Sequence, residues 1–335
     1  MKIVTFQRRS GSKRAGLLVA GNRVLDLGRA YSRLIGGRVP ADNTAGIIDS
    51  LRGMSSSLVE ILQAGDDSLT NCYELEKAAE AGNMEEFLFP IGDTPLVAPI
   101  PVPPLLLHFE AHEAHARATH ALLGVAKDLF PKSWFTHPIH YLGNPHTIIG
   151  PGAVVTFPDG EKEMDFEFEF AAVLSEDVRD ASVEDAEEAI LGYTVVNDWT
   201  ARGLQRDLMK AGFGASKSKT FATSVGPYIV TKDEIASPYD LEMIGKINGE
   251  EVCKGNTGDG RFTFGEMISY ASEGTVLPAG TIICAGAIAK GSGLELGKYL
   301  KAGDTVELEI DGIGVLRNKV YEKQHPRVYH PRTDE

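Results

Sequence analysis

The sequence predicts an α+β protein that is mostly β, preceded by a small α+β domain. Three observations carry this. The prolines Pro90, Pro95, Pro99, Pro101, Pro103 and Pro104 separate a helix-patterned first hundred residues from the rest. Beyond them, short apolar runs bounded by Gly, Asn and Asp turns dominate. Within that β-rich part, Met164–Leu174 (MDFEFEFAAVL) alternates acid and aromatic residues, the period of a strand. The expected division is 1–100 as the small domain, 101–325 as the main domain and 326–335 as a tail.

In chain order, Met1–Phe6 and Ala15–Leu27 read as short strands, the second interrupted by a Gly21-Asn22 turn. Ala41–Leu88 has helical patterning in IIDSLRG, SLVEILQAG and NCYELEKAAEAG, with Gly53 and Gly65 as stops. Leu105–Gly124 is rich in Ala and Leu and reads as a helix from about Glu110. His137–Gly152 is loop-rich. Ser182–Ile190 reads as a helix, Gly192–Asn197 as a buried strand, and Asp198–Gln205 as a helical turn. A Gly- and Lys-rich loop, Lys210–Thr223, leads to a strand at Tyr228–Thr231. Strands follow at Leu241–Ile247, Thr281–Ala287, Thr305–Ile310 and Ile313–Val320, with hairpin turns at Asn248-Gly249 and Asp311-Gly312 and a short helix at Phe264–Ala271. The C-terminal HPRVYHPRTDE reads as a poorly ordered tail.

The composition narrows the function. At 43% hydrophobic and 24% charged, the 335 residues are ordinary for a globular protein with a sizeable core. A formal net charge of −14 argues against nucleic acid and anionic membrane surfaces, but not against an anionic small molecule. Cys72, Cys253 and Cys284 are scattered and suit a reducing, cytoplasmic setting. No apolar run is long enough to span a membrane.

Three stretches carry chemistry. In the alternating strand, Phe166, Phe168 and Phe170 point one way and Asp165, Glu167 and Glu169 the other. The acids form either a solvated face or a set of oxygen ligands for a hard divalent cation. In LLLHFEAHEAHARATHALLG, His108, His112 and His115 share a face if the helix starts early enough. Zinc ligands, solvated histidines and a catalytic base are all open readings there. In DWTARGLQ, helical spacing puts Asp198, Arg202 and Gln205 on one face, as a binding group or a structural ion pair. KAGFGASKSKTFAT lacks the GxxxxGK[ST] pattern of a P-loop.

Six segments in order resemble the fumarylacetoacetate hydrolase superfamily: DFEFE, GYTVVNDWTARGLQ, KSKTFATSVGPYIVT, INGEEVCKGNTGD, GTVLPAGTIICAG and GSGLELGKYLKAGDTVELEIDGIGVLRNKV. The resemblance covers about residues 105–320, and the first hundred residues are similar to the small domain of longer members. It implies a mixed β-roll catalytic core and a homodimer. It implies that Glu167, Glu169 and Asp198 bind a divalent metal, Mg²⁺ first, with Ca²⁺ or Mn²⁺ as alternatives. Arg202, Gln205 and Lys219 match the oxyanion-stabilising groups, His115 the catalytic histidine, Glu295 the acid that orients it, and Tyr141 a substrate-contacting tyrosine. The implied reaction is hydrolysis of a C–C bond in a β-diketone or acylpyruvate-type 2-oxo acid, by water attack and departure of a metal-held enolate. A lyase on the same scaffold (decarboxylase, dehydratase or retro-aldol enzyme) and a catalytically silent binding protein are the alternatives. Four positions depart from the family pattern. His108 replaces a metal-ligating aspartate and Glu110 a tyrosine, Gly203 replaces an aspartate, and Ala287 falls where a threonine touches substrate. They bear on the substrate-facing side, and His108 also on the choice of ion.

Overall fold

The computed structural model describes residues 1–8, 10–20, 22–35, 57–122, 124, 126 and 129–321. IIDSLRG and the C-terminal tail lie outside the described residues. The architecture is mixed and mostly β. Its central sheet runs Leu88–Pro90, Arg23–Asp26, Lys13–Val19, Lys2–Gln7, Thr223–Thr231, Ile190–Asp198, Glu167–Leu174, Ile282–Ser292, Leu106–Phe109, His140–Leu142. A second sheet runs Glu250–Asn256, Glu242–Ile247, Thr305–Ile310, Gly314–Tyr321, Val154–Thr156. Its first hairpin turns at Asn248 and Gly249, with φ 54° and 83°, the positive pair that a tight two-residue loop needs.

Strand alternation decides where the layers go. Along Glu167–Leu174, Phe168, Phe170, Ala172 and Leu174 pack with Phe166 into a core that includes Met243, Val306, Leu308 and Leu316 of the second sheet. Complete burial of each phenylalanine contributes about 1.5–3 kcal/mol. On the opposite face, Ala171 and Val173 join a second core with Ile3, Leu17, Leu25, Leu62 and Leu75 from the first hundred residues. Glu167 and Glu169 share that face nearer the strand's start, and they are buried, not solvated.

Two expected helices differ. The helix expected from Glu110 begins at Glu113 and runs to Leu122, while His108 lies on the strand Leu106–Phe109. That apolar run pairs in parallel with Ile282–Cys284, and sheet pairing outweighs the helical propensity of its leucines. His108, His112 and His115 therefore do not line one helical face. Asp198 likewise ends the strand Ile190–Asp198, opposite Thr223, and the helix starts only at Arg202. The loop Lys210–Thr223 contains a one-turn helix, Ser216–Lys219.

The first hundred residues are welded to the rest. Lys2–Gln7 pairs with Thr223–Thr231, and Thr5 Oγ1 donates to Pro99 O at 2.6 Å. A chain lacking residues 1–100 would uncover Ala171, Val173, Val196, Val225 and Ile229. We expect such a chain to aggregate; a monodisperse, cooperatively unfolding 101–335 chain in size-exclusion and melting experiments would show that the segment is dispensable for folding.

Candidate active site

Oxygens of Glu167, Glu169 and Asp198 lie within 4.8 Å of one another, and all three residues are buried. Two come from consecutive same-face positions of one strand and the third from the end of the neighbouring strand, where Asn197 pairs with Phe168. Three carboxylates in so small a buried volume need positive charge. Part of it comes from Lys219, whose Nζ is 2.6 Å from both Glu167 Oε2 and Asp198 Oδ2. Asp198 Oδ1 accepts no hydrogen bond although it is buried. An unsatisfied carboxylate oxygen among convergent acids fits a divalent cation, so the residues present suit the ion that the family resemblance implies.

Behind the cluster stands Arg202. Its Nη2 donates to Glu167 Oε1 at 2.7 Å, its Nε to Asp165 Oδ2 at 2.7 Å, and its Nη1 to Gln205 Oε1 at 2.9 Å. Asp165 also accepts from the backbone N–H groups of Phe166 at 2.8 Å, Gly293 at 2.6 Å and Leu294 at 3.1 Å. A side chain on Gly293 would meet Asp165 Oδ1 at 2.6 Å, so that approach requires glycine. Burial opposes ionisation of Glu167, but Lys219 and Arg202 override it and hold the carboxyl well below its usual range.

His115 supplies the third group. Its Nδ1 is 2.7 Å from Glu295 Oε2, and its Nε2 is 3.5 Å from Glu167 Oε1 and 3.4 Å from Thr119 Oγ1. Glu295 is held in turn by the backbone N–H of Lys290 at 2.9 Å and by Ser292 Oγ at 3.0 Å. Burial would lower the His115 pKa, but hydrogen bonds to Glu167 and Glu295 raise it to about 10. Positive charge held by the carboxylates would offset the pull of Glu167, the larger of these two upward influences.

These groups meet at a cavity of about 270 Å³, whose lining includes His115, Glu167, Glu169, Lys219, Gln205 and Tyr141. The Tyr141 hydroxyl donates to Asp198 Oδ2, and its ring stacks on His108 at 5.0 Å between centroids. Arg202, Asp198 and Glu295 do not line the cavity; Arg202 spends its donors on acids and on the Gln205 carbonyl. His112, the competitor of His115 within the same stretch, is buried away from the cavity with both ring nitrogens unpartnered, and burial, then His115, lowers its pKa to about 4. Glu110, expected on the substrate-facing side, lines the wall, and Thr119, His120 and His140, which were not among the expected site residues, line it too. Thr119 stands four residues after His115 on the helix, a spacing that could have flagged it. His140 arrives on a separate strand with no local signal.

Comparison with known proteins follows the same lines. Residues 109–321 match the protein family described as fumarylacetoacetate (FAA) hydrolase, C-terminal. The chain is 30% identical over 311 residues to oxaloacetate tautomerase YisK of Bacillus subtilis, covering 91% of this chain and 95% of that protein. It is 34% identical over 197 residues to 2,4-didehydro-3-deoxy-L-rhamnonate hydrolase of a Sphingomonas species, covering 57% of this chain and 67% of that one. Its fold superposes with a TM-score of 0.67, at 21% identity, on maleylpyruvate hydrolase from Sphingobium sp. SYK-6 in complex with manganese(II) and pyruvate, covering 97% of this chain and 100% of that one.

The Asp165–Arg202 pair is a structural tie with a measurable weight. Asp165→Ala leaves the buried guanidinium short of one partner and removes the acceptor of three backbone N–H groups, those of residues 166, 293 and 294. Loss of one partner of a buried pair costs about 3–5 kcal/mol. The denaturant midpoint should fall accordingly, and an unchanged midpoint would deny the tie its role.

Proposed function

The chain belongs to the fumarylacetoacetate hydrolase family, an enzyme family that includes hydrolases and tautomerases, and on that premise we propose that it is a divalent-metal-dependent hydrolase of a C–C bond in an acylpyruvate-type 2-oxo acid. The observation that carries this reading is the 2.7 Å His115–Glu295 pair, with His115 on the wall of the cavity that Glu167, Glu169 and Lys219 also line. A pure scaffold has no use for a buried base oriented by an acid.

Glu167, Glu169 and Asp198 would hold the ion, which when bound supplies Lewis-acid polarisation of adjacent substrate oxygens. Mg²⁺ suits the all-carboxylate set, with Mn²⁺ or Ca²⁺ as alternatives. His115 Nε2 takes a proton from water, and Glu295, bonded to Nδ1, stabilises the resulting imidazolium. The Lys219 ammonium and the Gln205 amide face the cavity and receive developing negative charge on the carbonyl oxygen. Because the Gln205 carbonyl accepts from Arg202 Nη1, its NH₂ is the end left to donate. We reassign Arg202 from the expected oxyanion set to positioning Glu167, Asp165 and Gln205. Tyr141 lies on the substrate side and also restrains Asp198. A homodimer and a cytoplasmic setting belong to the same proposal; among the described residues no helix is long and apolar enough to cross a membrane.

A second reading is proton transfer between keto and enol forms of a 2-oxo dicarboxylic acid, with His115 again as the base. The likeness to oxaloacetate tautomerase along nearly the whole chain favours it. The two readings separate in one experiment. Acylpyruvates and enol-oxaloacetate are incubated with the Mg²⁺- or Mn²⁺-supplemented protein and the products identified. Cleavage to two acids supports hydrolysis; ketonisation without cleavage supports the second reading, and neither would remove both.

Three variants test the residues. Glu169→Gln and Asp198→Asn should abolish metal-dependent turnover while leaving the melting transition cooperative; full turnover in chelator-treated variant protein would refute the assigned ligands. His115→Ala should reduce kcat by about 10²–10⁴-fold, the usual contribution of a general base. An unchanged kcat would place the base elsewhere.

A further inference from the structure

We propose that His108, Cys284 and Glu169 form a site for a thiophilic divalent cation, with Zn²⁺ as the natural fit, beside the carboxylate set described above. An imidazole nitrogen of His108, a carboxylate oxygen of Glu169 and Cys284 Sγ lie within 4.8 Å of one another. They are brought together by the sheet: His108 and Cys284 are registered partners on parallel strands, and Glu169 projects from the strand beside Ile282–Ser292. All three are buried, at 2%, 0% and 1% exposure. His108 Nδ1 is 3.1 Å from Glu169 Oε2, while His108 Nε2 has no hydrogen-bond partner.

The chemistry of the donors separates this group from its neighbour. Glu167, Glu169 and Asp198 offer oxygen alone, which hard cations prefer; the His108 group offers one nitrogen, one sulfur and one oxygen, a combination that suits zinc and discriminates against magnesium. Three protein ligands leave a fourth position for water or for Asp198, whose Oδ2 is 3.8 Å from His108 Nδ1. On binding, Cys284 coordinates as thiolate and its proton leaves to solvent. Glu169 is common to both groups, so the two kinds of ion meet at one carboxylate. The proposal does not depend on which 2-oxo acid reaction the cavity performs.

Metal-stripped full-length protein titrated with Co²⁺ tests it. A near-ultraviolet thiolate-to-cobalt charge-transfer band should grow to saturation at one equivalent. Cys284→Ser should abolish the band, whereas Cys72→Ser should leave it. Absence of the band, or its persistence in Cys284→Ser, would overturn the proposal. Zinc K-edge X-ray absorption of the wild-type protein with one equivalent of Zn²⁺ does not depend on any variant folding. One sulfur scatterer at about 2.3 Å supports the site, and a shell of nitrogen and oxygen alone overturns it.

Discussion

Charge balance around Glu167 is the constraint on which the rest of the structure depends. This carboxylate is buried and touches three nitrogen groups: the Lys219 ammonium at 2.6 Å, the Arg202 guanidinium at 2.7 Å and the His115 imidazole at 3.5 Å. Burying an isolated carboxylate is prohibitive, and each of these contacts is a condition for its ionised presence at the cavity wall. The same contacts arrange the site: Lys219 is drawn between two acids, Arg202 is drawn back from the cavity, and His115 is turned so that its other nitrogen meets Glu295.

The scaffold serves that cluster by keeping one strand rigid on both faces. Phe166, Phe168 and Phe170 anchor one side in the core shared with the second sheet, and Ala171 and Val173 anchor the other against the first hundred residues. Asp165 extends the grip by tying Arg202 to the backbone at residues 293 and 294, which immediately precede Glu295. The acid side of the cluster and the base side are therefore connected through Asp165 without passing through the cavity.

Three of the four departures from the family pattern, His108, Glu110 and Ala287, line the cavity, whereas Gly203, expected on the substrate-facing side, lies outside it against the Glu161 carboxylate. His108 occupies the usual place of an acid, stacks on Tyr141 and brings a nitrogen donor next to Cys284 and Glu169. Half-buried Glu110 lines the cavity, and burial raises the pKa of its carboxyl. The wall around His108 and Glu110 thus differs in charge and donor type from the pattern the rest of the sequence follows.

The alternating strand, the turn at Asn248-Gly249 and the family segments were legible from residue order, because a two-residue period and a positive-φ pair are local properties. The candidate residues His115, Glu295, Lys219 and Gln205 were named from motifs, and the fold brings them to one place. What residue order could not supply was the partner of each charge. Spacing suggested an Asp198–Arg202 pair on a helix, but Asp198 ends a strand and Arg202 turns to Asp165 and Glu167 instead. Spacing put His108 with His112 and His115, but strand pairing set it beside Cys284, far along the chain. Local periodicity dictates which face a side chain takes; only sheet register, set by burial of distant strands against one another, decides which charges share that face.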